Sequence, residues 1–189
     1  VAAAQEQVAG LVHTGAQFPA QEIETALSQL AHILPPTLNS VVFLNTGSEA
    51  VDLALKMARA ATGAGAPGSQ RDTVVVTEKG YYGASTYPLA LSEVGRAMPY
   101  LPRVGGIQRL PVPDCRRCPA GRTWPCGDFA CLASLQALAD EGAGRVAAVL
   151  YDPMLSGGGI IVPPPGYGAR LRALTDACGA LLISEEVTT

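Results

Sequence analysis

Charged residues are scarce in this 189-residue chain: they make up 15% of it, the net charge is −3, and no basic block occurs. Proteins that bind nucleic acid present a basic surface, so this composition gives such binding little support. No apolar run reaches the roughly 20 residues that a membrane helix needs. The first residues, VAAAQEQVAG, lack the charged and apolar regions of a signal peptide. We therefore expect a cytoplasmic protein that binds neither nucleic acid nor membrane.

Apolar residues are abundant, at 48% of the chain, which is typical of a globular protein with a large buried core. The sequence begins without Met and stops just after an apolar run, in LLISEEVTT. We expect both ends to be cuts within a longer gene product.

Short apolar segments alternate with helical segments along the chain. The strand candidates are residues 41–44, 73–77, 146–151 and 181–184. The helix candidates are residues 21–34, 48–61, 130–141 and 169–178. Continuously apolar strands that alternate with helices predict an α/β fold with a mostly parallel sheet flanked by helices. We divide the chain into an N-terminal helical segment, residues 1–40, and one larger domain, residues 41–189.

Chemistry-bearing residues follow the strand candidates, and ligands of such sheets bind beyond the carboxyl ends of the strands. In Asn45-Thr46-Gly47-Ser48, Gly47 lets the backbone approach a ligand closely. Ser48 offers a hydroxyl and an N–H group at a helix start, where the helix dipole favours an anion. The turn therefore predicts a phosphate site, the alternative being that Ser48 is an ordinary N-cap.

Four segments together resemble the class III (omega-type) pyridoxal-phosphate-dependent aminotransferases. NTGSEAVDLALKMARAATG resembles the phosphate-binding turn and helix of that family, which implies that Gly47 and Ser48 contact the phosphate of pyridoxal 5'-phosphate (PLP). Gly80-Tyr81-Tyr82-Gly83 resembles a G/A-Y-H-G turn whose aromatic residue stacks on the pyridine ring. Tyr81 matches that aromatic residue and Tyr82 stands where His is usual. The alternative for this segment is a loop that packs on the core.

The longest match is VLYDPMLSGGGIIVPPPGYGARLRALTDACGALLI, in which two departures matter. Asp152 stands where the family has Glu. Gly157 stands where glutamate-using transaminases have a second Glu, which argues against a 4-aminobutyrate-type substrate switch. The LSGGG run is similar to a variant found in some transaminases and in dialkylglycine decarboxylase, which shares the fold and cofactor.

The fourth segment, Ser184-Glu185-Glu186-Val187-Thr188, resembles the family's A/F-D-E-V-x-T-G. Glu185 occupies the position of the Asp that pairs with the pyridine nitrogen and keeps PLP an electron sink. Val187 is implied to pack on the ring face opposite Tyr81. Thr188 replaces a common Gln near the phenolic oxygen. The alternative is a solvated acidic pair at the end of a strand.

Four of the five cysteines form a C-x2-C-x7-C-x4-C pattern that is similar to an insert in one bacterial and archaeal branch of the family. This pattern differs from that of a zinc ribbon, and we predict neither a disulfide framework nor a metal site. The alternative is a metal bound by thiolates of Cys115, Cys118, Cys126 and Cys131.

The resemblance implies an incomplete fold type I large domain from a transaminase that moves an amino group from an amino acid or amine to a 2-oxo acid. A dialkylglycine-type decarboxylase-transaminase and a non-catalytic homologue are the alternatives. The family holds PLP as a Schiff base with a lysine beyond the D-E-V strand. Neither Lys56 nor Lys79, the two lysines here, matches that position. We therefore expect no catalytic residue in this chain, no activity from it alone, and a homodimer when the protein is full length.

Overall fold

The computed structural model describes residues 1–13, 15, 20–142 and 144–189. Residues 14, 16–19 and 143, which the two predicted domains include, lie outside the described residues. The described chain divides into two compact units, Val1–Phe43 and Leu44–Thr189. The first unit contains helices α1 (Ala2–Ala9) and α2 (Gln21–Ala31), neither of which has a buried residue. Helix α2 ends before residue 34, the predicted end, and the chain then reaches Pro35 and Pro36, which cannot continue a helix.

A four-stranded parallel sheet forms the centre of the second unit, with the order β2-β1-β3-β4. The strands are β1 (Thr73–Thr77), β2 (Ile107–Leu110), β3 (Val146–Tyr151) and β4 (Leu181–Ser184). Val75 of β1 lies opposite Gln108 of β2 on one side and opposite Val149 of β3 on the other. The predicted α/β fold with a parallel sheet is confirmed.

Helices cover both faces of this sheet, as the apolar strands require. They are α3 (Gly47–Ala61), α4 (Thr86–Leu91), α5 (Glu93–Arg96), α6 (Ala133–Asp140) and α7 (Tyr167–Ala177). On one face, Val74 and Val76 of β1 pack with Leu55 of α3. On the other face, Val75 packs with Leu135 of α6 and Leu171 of α7. Every residue of β1 is buried because its side chains alternate between two covered faces.

The predicted strand at residues 41–44 is wrong, since Val41–Leu44 have no regular secondary structure. An apolar run becomes a strand only where a neighbouring strand satisfies its N–H and C=O groups. None of the four strands in the described part of the chain pairs with this segment.

Strand β2 was not predicted because its sequence, IQRL, is half polar and lies within a segment rich in Gly and Pro. It is an edge strand, so only one side of its backbone is paired. Arg109 contributes to its anchoring, because its guanidinium donates to the carbonyls of Leu91, at 2.6 Å, and Ala90, at 3.0 Å. Two 3₁₀ turns, Cys115–Arg117 and Ala130–Leu132, complete the fold, the second replacing the start of the helix predicted at 130–141.

Within the described ranges, no helix combines the length and the apolar character that crossing a bilayer demands.

Candidate active site

A cavity of about 260 Å³ opens beyond the carboxyl ends of β1, β3 and β4. It brings together all seven residues that the sequence nominated for cofactor binding: Gly47, Ser48, Tyr81, Asp152, Glu185, Val187 and Thr188. The cavity is also lined by residues that were not nominated: Tyr82, Gly83, Ser156 and Gly157. Their motifs, GYYG and LSGGG, were the signals that could have identified them. One pocket thus collects residues from four separate segments of the chain.

The N-terminus of α3 forms one wall of the cavity. Thr46 is its N-cap, and its hydroxyl accepts a hydrogen bond from the Glu49 N–H at 3.2 Å. The Glu49 carboxylate accepts from the N–H groups of Asn45 and Thr46, which completes a capping box. The alternative in which Ser48 caps the helix is therefore wrong, because T-x-x-E starting at Thr46 performs the capping.

Two backbone donors remain open at this helix start. Among the described residues, no acceptor receives the N–H groups of Gly47 or Ser48. The Ser48 hydroxyl accepts from the Ala84 N–H at 2.9 Å, which leaves its own O–H free to donate. Two N–H groups, one hydroxyl and the positive end of a helix dipole make this corner suited to an anion.

Gly83 has to be glycine for the loop after β1 to reach Ser48. Its φ is 127°, in a region that residues with a side chain rarely adopt. A Cβ atom placed there would lie 2.5 Å from Ser48 Oγ and 2.9 Å from Ser48 Cα. The contact between the loop and the helix start therefore depends on this one glycine.

The adjacent tyrosines have different environments. Tyr82 is 1% exposed, and its hydroxyl accepts from the Thr77 N–H at 3.1 Å, so it is a core residue. Its burial, and then the charge of Asp152, raise the pKa of the phenol, which stays protonated. Tyr81 is 50% exposed and lines the cavity. The loop-packing alternative thus describes Tyr82, whereas Tyr81 presents a free aromatic ring.

Two carboxyls meet on the opposite side of the cavity. Asp152 follows β3 and is 8% exposed, and Glu185 follows β4. Burial raises the pKa of Asp152 to about 8, with further contributions from a hydrogen bond to Glu185 and from the charge of Glu185. The backbone of Tyr81 partly opposes this rise in pKa. Near neutral pH the Asp152 carboxyl is therefore mostly protonated.

Asp152 Oδ1 is buried and, among the described residues, has no hydrogen-bond partner. A buried oxygen without a hydrogen-bond partner destabilises the folded protein unless another group donates to it. The Glu185 carboxylate accepts from the Val187 N–H at 3.2 Å, which holds the turn after β4. Beside it, the Thr188 hydroxyl donates to Ser156 Oγ at 3.2 Å and links two walls of the cavity.

The family described as Aminotransferase class-III matches this chain over residues 1–189. The chain belongs to the class III aminotransferase family. An omega-aminotransferase of Caulobacter vibrioides is 34% identical over 86% of this chain and 37% of that protein. An acetylornithine aminotransferase of Streptomyces coelicolor is 32% identical over 100% of this chain and 40% of that protein.

The fold agrees with this assignment. An amine transaminase from an uncultivated Pseudomonas species, solved in its PLP-bound form, matches 98% of this chain and 43% of its own length. Its TM-score is 0.80 and its sequence identity 27%, and the shared fold is that of fold type I PLP aminotransferases. The class III chain described here spans about two fifths of the length of these proteins.

The cysteine segment lies outside the cavity lining. All five cysteines are free thiols, and the Sγ atoms of Cys115 and Cys126 are 3.5 Å apart. Burial, followed by the charge of Cys126, raises the pKa of Cys131 to about 11. No three His, Cys, Asp or Glu residues in the described ranges are grouped so that they could hold a metal. The metal alternative therefore has no ligand set among those residues.

The residues present in the cavity fit PLP. The open N–H groups of Gly47 and Ser48 suit its phosphate, and the exposed ring of Tyr81 suits its flat pyridine. The neighbouring acids Asp152 and Glu185 suit a protonated ring nitrogen.

Replacing Gly83 by Ala should weaken PLP binding at least about tenfold, equivalent to about 1.4 kcal/mol. The reason is that the new Cβ would push the loop away from Ser48 and disturb the anion corner. PLP affinity measured by fluorescence titration of the full-length protein tests this expectation. Gly127→Ala is the matched control, since a Cβ at Gly127 meets no atom within 4 Å. Equal affinities for the two variants would contradict the proposed corner.

Proposed function

We propose that the protein is a PLP-dependent transaminase that moves an amino group from an amino acid or amine to a 2-oxo acid. The observation that carries the proposal is a single cavity with an anion corner, an exposed aromatic ring and two neighbouring acids. Membership of the class III family supports it. PLP, when bound, acts as an electron sink for the bonds at the substrate's amino-bearing carbon.

Each wall of the cavity then has a distinct task. The N–H groups of Gly47 and Ser48, with the Ser48 hydroxyl, bind and orient the phosphate. Tyr81 stacks on one face of the ring and Val187 packs on the other, which excludes water from both faces. The pair of Asp152 and Glu185 holds the proton on the ring nitrogen, because a negative charge beside that atom favours its protonated form. The Thr188 hydroxyl lies beside the expected place of the phenolic oxygen, and it can donate to that oxygen once its O–H turns away from Ser156 Oγ.

The amino acceptor is proposed to be a 2-oxo acid that needs no glutamate-dependent switch. Gly157 lines the cavity where a second Glu would stand, and it supplies no side chain to pair with an arginine. A dialkylglycine-type decarboxylase and a non-catalytic homologue are the competing outcomes. Carbon dioxide release from a dialkyl amino acid would identify the first, and absence of the PLP-binding lysine from the full-length protein would identify the second.

The lysine that binds PLP is proposed to lie in the part of the protein that this chain does not cover. The relatives of this chain are more than twice as long as the chain itself. Lys56 lies on α3 and Lys79 lies beside the loop after β1, and neither lines the cavity. The 189-residue chain alone should therefore give no measurable transfer of an amino group from an amine to a 2-oxo acid.

Two proteins test the proposal, the full-length protein and the 189-residue chain. With PLP and an amine, the full-length protein should convert a 2-oxo acid to its amino acid, as followed by chromatography of the product. The chain alone, assayed at the same concentration, serves as the comparison. Turnover by the chain alone would overturn the assignment of the missing lysine. A full-length protein that binds PLP but transfers nothing would favour the non-catalytic homologue.

We further propose a cytoplasmic homodimer. Five free thiols agree with a reducing compartment. The dimer follows from the family resemblance, since active sites of that family form between subunits. Sedimentation of the full-length protein would give its oligomeric state.

A further inference from the structure

The two acids of the cavity differ from the family pattern in opposite directions. The family has Glu where this chain has Asp152, and Asp where this chain has Glu185. One position has therefore lost a methylene group and the other has gained one. Taken separately, each change displaces a carboxyl group by about 1 Å, a misplacement that can cost about 100-fold in rate.

The structure places these two positions side by side at the ends of neighbouring strands. Both carboxyls line the same cavity, and the Glu185 carboxyl raises the pKa of Asp152, after the larger effect of burial. Their backbones are also fixed relative to each other, because Tyr151 and Ser184 pair in register and the Glu185 N–H donates to the Tyr151 carbonyl at 3.0 Å. Since the two strand ends cannot slide, the summed length of the two side chains determines whether the carboxyls meet.

We propose that Asp152 and Glu185 form one compensated pair, in which Asp152 is a positioning residue that aims the Glu185 carboxylate at the ring nitrogen. The inference rests on the proposed function for the ring-nitrogen contact alone; the contact between the two acids does not depend on it. The combined length of the pair equals that of the Glu–Asp pair in the family. The exchange shifts the meeting point of the carboxyls toward β3 without opening a gap or causing a clash.

The contacts of the two acids give them different tasks. Asp152 is buried and its raised pKa keeps it mostly protonated near neutral pH, so its O–H can donate to the Glu185 carboxyl. Glu185 is half-buried and is held from behind by the Val187 N–H. A carboxylate fixed by donors on two sides keeps one orientation, as a group that meets a planar ring must. A longer acid at position 152, or a shorter one at 185, breaks that arrangement.

The test compares four forms of the full-length protein: wild type, Asp152→Glu, Glu185→Asp and the double exchange. Asp152→Glu crowds the buried contact and Glu185→Asp leaves it unmade. Each single variant should lose at least about tenfold in kcat, with KM changed less. The double variant should recover to within about threefold of wild type, since non-additivity of this kind marks residues in contact. Glu186→Asp, the same change on the exposed neighbour, should leave kcat unchanged.

A second readout does not depend on catalysis. The unfolding temperatures of the four proteins without PLP should show the same pattern, with both single variants lowered and the double variant restored. Losses that multiply in the double variant, in both readouts, would overturn the pairing. A wild-type protein that binds no PLP would instead overturn the proposed function, and the unfolding temperatures would still decide whether the two acids are a compensated pair.

Discussion

Replacing Glu185 by Gln in the full-length protein should lower kcat by about two to four orders of magnitude while PLP stays bound. Gln keeps the size of the side chain and its acceptor oxygen, so the Val187 N–H still has a partner. The change removes the negative charge that keeps the ring nitrogen protonated, and without that proton the cofactor withdraws electrons poorly. Steady-state turnover gives kcat, and PLP absorbance on the same sample gives occupancy.

The matched control for this prediction is Glu186→Gln. Glu186 is the next residue, it is exposed, and its carboxylate accepts from the Ser184 hydroxyl at 2.8 Å outside the PLP cavity. The same loss of charge there should leave kcat within about twofold of wild type, as for most surface changes. If Glu185→Gln behaves like this control, the two glutamates are a solvated acidic pair and the ring nitrogen has another partner.

That the candidate site residues lie together could be predicted from sequence because parallel sheets have a simple rule for where ligands bind. The segments after three of the predicted strands each carried a polar or aromatic residue, and the structure places Tyr81, Asp152 and Glu185 in one cavity. Continuously apolar strands such as 73–77 were easy to recognise, since both of their faces are covered by helices.

The errors have a common physical origin in interactions that one segment cannot reveal. Val41–Leu44 has the composition of a strand, but a strand exists only with a partner for its backbone. Strand β2 has a polar composition, and it forms because β1 offers a free edge. The alternative that Ser48 caps α3 fails for a similar reason, since the cap is Thr46, held by Glu49 reaching back to it.

The exchange of acids could be seen in the sequence only as two separate departures. Asp152 and Glu185 are separated by a loop, helix α7 and strand β4, and nothing in the intervening residues indicates that the two acids lie side by side. Because β3 and β4 pair, the two departures from the family pattern lie next to each other and can be considered as one feature of the site.

Stability of the full-length protein without PLP should fall by about 2–4 kcal/mol between pH 5 and pH 9, and Asp152→Asn should remove most of that fall. The pKa of Asp152 is raised from 3.8 to about 8 by burial and then by Glu185. Between those values the folded protein holds a proton that the unfolded chain has released. Raising the pH therefore favours unfolding, and this contribution to stability is lost as the pH passes through about 8.

The environment of Asp152 sets the sign of this effect. Burial raises its pKa most, the Glu185 carboxyl raises it further, the Tyr81 backbone lowers it, and the buried Tyr82 hydroxyl lies within the field of its charge. Asn imitates the protonated acid, because it has the same shape and its NH₂ group can donate to the Glu185 carboxyl. Chemical denaturation at pH 5, 7 and 9 should give Asp152→Asn a nearly flat profile and make it more stable than wild type at pH 9. Parallel profiles for the two proteins would mean that Asp152 ionises as freely in the folded protein as in the unfolded chain.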